Sequence, residues 1–123
     1  MHFWENVYGF NFFVFYRDDP KLEKFKKRHK IDLEASGFAQ TSFHDNCSPY
    51  YNQLVLFTFD PEFKQKPLWR QVEVISHEAW HATELCLFYA GCGVDLRNVN
   101  EHLAYYVGFV ARKLTKLLIC SQV

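Results

Sequence analysis

The chain has 123 residues, of which 49% are hydrophobic and 19% aromatic, with 14 Lys and Arg against 14 Asp and Glu. This length and apolar fraction predict a single soluble domain over residues 1–123, because a chain of this size can bury enough surface to fold without disulfides. Zero net charge removes the general electrostatic case for nucleic acid or an anionic membrane as the main partner. A membrane span is excluded, because no 18 consecutive residues are apolar and uncharged.

Cysteine usage and the start of the chain bear on the compartment. The four cysteines, Cys47, Cys86, Cys92 and Cys120, form no CxxC pair, and no basic region followed by an apolar run opens the sequence. We therefore expect a cytoplasmic protein with reduced thiols.

The first half of the chain contains strand signals around one helix signal. Residues 10–16 (FNFFVFY) are apolar almost throughout, which predicts a strand covered on both faces. Asp19 and Pro20 then predict the start of a helix over 21–30. Residues 38–43 predict a modest strand and residues 53–59 (QLVLFTF) a strong one, joined by turn formers into an antiparallel hairpin.

The second half changes to helical periodicity. Pro67 predicts a helix start, and Gly91 and Gly93 predict its end. Its expected apolar stripe is Leu68, Val72, Ile75, Ala79, Ala82, Cys86 and Tyr89. A last helix is expected from about Asn98, with Gly108 at a close helix crossing. Its apolar positions are Val99, Leu103, Val107, Val110, Leu114 and Leu117. The order β-α-β-β-α-α predicts an α+β domain in which helices cover one face of a small mixed sheet.

The motif that carries chemistry lies in the middle of the longest predicted helix. His77 and His81 are one helical turn apart, so their imidazoles can converge on one tetrahedral zinc. Glu78 points about 100° away from His77, close enough to contact a metal-bound water. This is the HExxH arrangement; the alternative is a pair of surface histidines satisfied by their neighbours.

A catalytic zinc needs a third protein ligand from another element. Glu101 is the preferred candidate, because it lies in the first turn of the next predicted helix, after a glycine-containing turn. It also fits the third helical position behind an Asn98 cap, where a carboxylate is favoured in any case, and both roles are compatible. The competing ligands are His102, His44, Asp95 and Glu84.

The sequence ISHEAWHA at 75–82, followed by NEHLAY at 100–105, resembles the HExxHA and NExxA/S pattern of thermolysin-like gluzincins. The chain is also similar to small zincin-like proteins encoded by bacteriophages. The resemblance implies a minimal zincin-like domain with one zinc ion on His77, His81 and Glu101, and with Glu78 as general base. Tyr105 stands where thermolysin-like enzymes carry an Asp that orients a ligand histidine, so the orienting group is not identified.

The predicted function is a zinc metallopeptidase, a hydrolase that cleaves peptide bonds in a peptide or protein substrate. Tyr105 or Tyr106 is a candidate donor to the oxyanion of the reaction, with aromatic core packing as the alternative for both. We expect the polar strand 38–43 to be a sheet edge on which an extended substrate can dock.

The alternative function is a phage-type interaction or inhibitor protein that binds a host macromolecule on a zincin scaffold without catalysis. Its support is the basic segment from Lys21 to Lys30, which has six cations and one Glu. Such a segment either is a solvated helix face or contacts an acidic partner or nucleic acid phosphates. A phage-encoded protein of this kind would act in the host cytoplasm.

Overall fold

The computed structural model describes residues 1–45, 50–91 and 101–120. The chain divides into two compact units, Met1–Gln65 and Lys66–Val123. The described residues form a four-stranded mixed sheet and three α-helices, which confirms the α+β class.

The sheet belongs to the first unit. Its strands are β1 (His2–Glu5), β2 (Phe10–Tyr16), β3 (Ala39–Asp45) and β4 (Gln53–Phe59), in the order β1-β2-β4-β3. The two central strands, β2 and β4, run parallel, whereas β1 and β3 pair antiparallel with their neighbours. The predicted hairpin of β3 and β4 is confirmed, and β3 is an edge strand as expected.

The bounds of β2 and β4 are those predicted, because both strands are continuous apolar runs that are buried along most of their length. The strand β1 was not predicted. It has only four residues, and its burial alternates between exposed and buried. Its strand conformation depends on pairing with β2, in which Phe3 lies opposite Phe12 and their rings stack with centroids 4.6 Å apart.

The helix α1 (Pro20–Arg28) begins as predicted. The Asp19 carboxylate accepts a hydrogen bond from the Lys21 amide at 2.9 Å, and Pro20 occupies the first turn. The helix ends two residues before the predicted Lys30, because Lys30 adopts a φ of 56°. On one face of the sheet, residues of α1 and of the chain that follows it join the aromatic and aliphatic side chains of β2 and β4 in one cluster. Its buried members are Phe13, Phe15, Leu22, Ile31, Leu54 and Leu56.

The second unit consists of two helices that pack on each other, α2 (Leu68–Tyr89) and α3 (Glu101–Leu118). Pro67 caps α2 at its start, and Gly91, with a φ of 79°, follows its end. The predicted roles of Gly93 and Asn98 lie outside the described residues. Within the described part of the chain, no helix combines the length and apolar character that crossing a membrane requires.

Three details of the predicted helix faces are wrong. In the expected stripe of α2, Ile75, Ala79, Ala82 and Cys86 are buried, whereas Leu68, Val72 and Tyr89 are exposed. The other buried residues of α2 are Gln71, Val74, Glu78, Thr83 and Leu87. In α3, Val110 and Leu114 are buried as expected, but the buried line continues through Tyr106 and Leu118, while Leu103, Val107 and Leu117 are only half-buried. Val99 lies outside the described residues.

Gly108 does not mark a close helix crossing. It is exposed, and a Cβ atom at this position would have open space within 4 Å.

Candidate metal centre

The helix α2 presents the HExxH residues at the border between its buried and exposed faces. His77 and His81 are exposed, whereas Glu78 is only 3% exposed. Ile75, Ala79 and Ala82 of the expected stripe are buried, so the two imidazoles point away from that stripe as predicted.

The imidazoles converge as an HExxH site requires. Nε2 of His77 and Nε2 of His81 lie 3.0 Å apart, and the ring centroids are 4.6 Å apart with the ring planes at 79°. One ring nitrogen of each histidine and a carboxylate oxygen of Glu78 all lie within 4.8 Å of one another. Among the described residues, these three side chains have a spacing that could hold one metal ion.

The distance between the two nitrogens can be compared with the requirement of zinc. Two imidazole nitrogens at about 2.0–2.1 Å from zinc, at a tetrahedral angle, lie about 3.3 Å apart. The observed separation of 3.0 Å is therefore within a small side-chain adjustment of that value. Without an ion the same nitrogens form a hydrogen bond, in which one ring donates and the other accepts. The two imidazole nitrogens therefore fit a zinc ion, which would lie between them in place of the hydrogen-bonding proton.

A carboxylate lies behind one of the two rings. Oε1 of Glu84 is 3.8 Å from Nδ1 of His81, on the nitrogen that does not face His77. Both side chains are about half exposed, at 48% and 47%. A carboxylate on the far nitrogen of a ligand histidine fixes its tautomer and orientation. Glu84 was weighed from the sequence only as a third ligand; its position three residues after His81 was the signal for this role.

Glu78 is placed to act through a water molecule. A base must lie about 2.6–3.2 Å from the water that it deprotonates. Because a metal-bound water lies about 2 Å from its ion, the base can be up to about 5 Å from the metal. The spacing of 4.8 Å or less between Glu78 and the two imidazole nitrogens is compatible with such an arrangement.

The other candidate ligands lie outside this group. Glu101 is the first residue of α3 and His102 the second, and both side chains are exposed. His44 belongs to β3 of the first unit, where its Nε2 forms a 2.8 Å hydrogen bond with Oγ of Ser42. Burial lowers the pKa of His44 from its usual value. Asp95 lies outside the described residues. The third ligand therefore stays a prediction.

The two candidate tyrosines have opposite environments. Tyr105 is 51% exposed, and its ring stacks on that of Phe109 with centroids 6.1 Å apart. Tyr106 is fully buried among the core residues of α3. An oxyanion donor must reach the substrate, so Tyr105 is the tyrosine with the required access, while Tyr106 is a core residue.

Comparison of the chain with protein-family models, with curated proteins and with solved structures finds no match. The interpretation of this site rests on its geometry and on the residues of the motif.

Proposed function

We propose that the protein is a zinc-dependent peptide-bond hydrolase of the gluzincin type. In this proposal His77, His81 and Glu101 hold one zinc ion, and Glu78 is the general base. The observation that carries the proposal is the 3.0 Å approach of the two Nε2 atoms, with a carboxylate oxygen of Glu78 within 4.8 Å of one ring nitrogen of each histidine.

A zinc ion in this position would supply a bound water whose pKa is lowered toward about 7, and would polarise the scissile carbonyl. The side chains of the protein do the remaining work. Glu78 accepts the proton of the attacking water and returns it to the leaving amine. Its burial favours this role, since a carboxylate held in a largely dehydrated position interacts more strongly with a nearby charge than one in bulk water.

Two further groups have positioning roles in the proposal. Glu84 orients His81 through Nδ1, and Tyr105 donates a hydrogen bond to the oxyanion.

The test is the variant Glu78→Gln, which keeps the shape of the side chain and removes the base. The purified chain should contain one zinc per molecule by elemental mass spectrometry, and should cleave members of an unbiased peptide library detected by mass spectrometry. The variant should retain zinc and lose about 10²–10⁴-fold in cleavage rate, the usual contribution of a general base.

The matched control is Glu73→Gln, at an exposed position of the same helix where the glutamate pairs with Arg70. It should leave both zinc content and cleavage unchanged. Wild-type cleavage rates in Glu78→Gln would refute the assignment of the base. Zinc binding without any cleavage by the wild-type chain would refute the hydrolase, and would favour a non-catalytic interaction protein.

A further inference from the structure

A cavity of about 500 Å³ lies in the first unit, between α1, β2, the start of the chain and residues 50–51. This volume is in the range of small-molecule sites. Its described lining residues all belong to the first unit, and no residue of the HExxH group is among them. Neither the proposed hydrolysis nor the resemblance to gluzincins assigns it a role.

The walls of the cavity are aromatic. Phe13, Phe25 and His29 form its inner part, with centroid separations of 4.6 Å for Phe13 and Phe25 and 4.4 Å for Phe25 and His29. Tyr50 and Tyr51 continue the cluster at 5.7 and 5.6 Å from the His29 ring. Burial, and then the neighbouring Arg28, lower the pKa of His29, so its ring is mainly uncharged at pH 7. Such walls favour a planar, uncharged ring system as the buried part of a ligand.

The rim of the cavity is cationic. Lys21, Lys24 and Arg28 line it from successive turns of one face of α1, and all three side chains are exposed. Arg28 also lies over the Tyr50 ring, with its guanidinium carbon 4.4 Å from the centroid. Among the described residues that line the cavity, none carries a carboxylate. The cavity therefore combines aromatic walls with an outer group of three cationic side chains.

We propose that this cavity binds a nucleoside phosphate, with the base stacked on the aromatic walls and the phosphate on Lys21, Lys24 and Arg28. The ligand class follows from the arrangement of the cavity, in which the aromatic rings lie inside and the cations lie at the rim. A phosphorylated tyrosine side chain would have to enter with its phosphate first, and would place that charge against the buried rings. A nucleotide enters with its base first and leaves the phosphate at the rim. Aromatic side chains stack on any nucleobase, so the site would select a ligand that carries both a base and a phosphate, without selecting which base.

A base and a phosphate with this arrangement can belong to a free nucleotide or to one nucleotide of a single-stranded nucleic acid. Isothermal titration calorimetry with AMP, adenosine, inorganic phosphate and a short single-stranded oligodeoxyadenylate distinguishes them. For a ligand of about 23 non-hydrogen atoms we expect a Kd on the order of 10 µM. Adenosine and phosphate should each bind at least about tenfold more weakly than AMP, because each makes only part of the contacts. An oligonucleotide that binds more tightly than AMP would identify the polymer as the source.

Matched charge variants test the rim. The double variant Lys21→Gln and Lys24→Gln should weaken AMP binding at least about tenfold. The control, Lys27→Gln with Lys30→Gln, removes the same charge from exposed residues of the same segment that do not line the cavity, and should leave the affinity unchanged.

A third variant tests the walls. Tyr50→Leu, at a side chain that is 60% exposed, should weaken AMP binding at least about fivefold by removing one stacking ring. Far-ultraviolet circular dichroism checks that each variant is folded. The proposal is refuted if neither AMP nor the oligonucleotide shows saturable binding. It is equally refuted if phosphate competes as well as AMP, or if the two lysine pairs give equal affinities.

Discussion

Removing one imidazole of the HExxH pair tests the metal centre independently of any substrate. His77 and His81 are four residues apart, so only a folded helix brings them together, about 6 Å along the axis and about 40° apart in rotation. The approach of the two Nε2 atoms to 3.0 Å therefore exists in the folded chain and is lost in the unfolded one. An ion that binds this pair must raise the free energy of unfolding.

The magnitude follows from mass action. At a free zinc concentration about 100 times the Kd, the stabilisation is about 2.7 kcal/mol. Unfolding entropy of about 2.1 cal/mol/K per residue gives about 0.26 kcal/mol/K for this chain, so the Tm should rise by about 10 °C. His81→Ala should abolish this rise. Without zinc the same variant should lose less than about 1 kcal/mol, because it removes only contacts of a half-exposed side chain, the hydrogen bond to His77 and the ion pair with Glu84.

The assay is thermal unfolding followed by circular dichroism, with and without zinc, in a buffer that does not chelate the metal. The control is His2→Ala, which removes an exposed histidine of β1 and should keep the full zinc-dependent rise. A rise in Tm that persists in His81→Ala, or its absence in the wild-type chain, would show that the pair is not the metal site.

Four further predictions concern zinc affinity, helix stability and the pH dependence of stability. Glu84→Gln should weaken zinc binding about 10–100-fold in a titration against a chromogenic chelator, and an unchanged affinity would exclude an orienting role for this carboxylate. In the same titration Glu101→Gln should weaken binding while His102→Ala does not; the opposite order would make the histidine the third ligand. Gly108→Ala should raise the free energy of unfolding in urea by about 0.5–1 kcal/mol, because the position is helical, exposed and has open space for a Cβ, so a loss of stability would contradict that space. Burial holds the pKa of His29 below 6.5, so the unfolded chain takes up this proton first as the pH falls. The contribution of His29 to the free energy of unfolding should be complete above about pH 6.5, and it should decrease as the pH drops toward the pKa that His29 has in the folded chain. The dependence of the free energy of unfolding on pH should become shallower in His29→Phe, and an unchanged pH dependence would contradict the assignment.

Elements with strong local signals were predictable from the sequence. The strands β2 and β4 are continuous apolar runs, and Asp19 with Pro20 starts α1, so their positions follow from residues that are neighbours in the chain. Elements that depend on distant partners were not. The short β1 is a strand because it pairs with β2, and its four residues carry too little pattern to predict it alone.

The roles of individual side chains also depended on tertiary packing that the sequence does not show. Composition and spacing left both Tyr105 and Tyr106 open as catalytic or core residues, because both follow the Glu101 position by about one turn and the expected apolar stripe of α3 included neither. Packing decided between them, since Tyr106 is fully buried and Tyr105 is half exposed. The sequence predicted a close helix crossing at Gly108, but only the surroundings showed that, in the described part of the chain, no atom lies within 4 Å of a Cβ built there.

The sequence by itself determined that two imidazoles and a carboxylate can meet on one turn of α2, because the geometry of a helix is local and the spacing HExxH fixes it. Tertiary structure decided the rest. It buried Glu78 while leaving His77 and His81 exposed. It also assembled an aromatic cavity with a cationic rim from four separate segments of the first unit, a set of contacts that no periodicity along the chain encodes. Such contacts form only when the chain folds, because they join residues that are far apart in sequence.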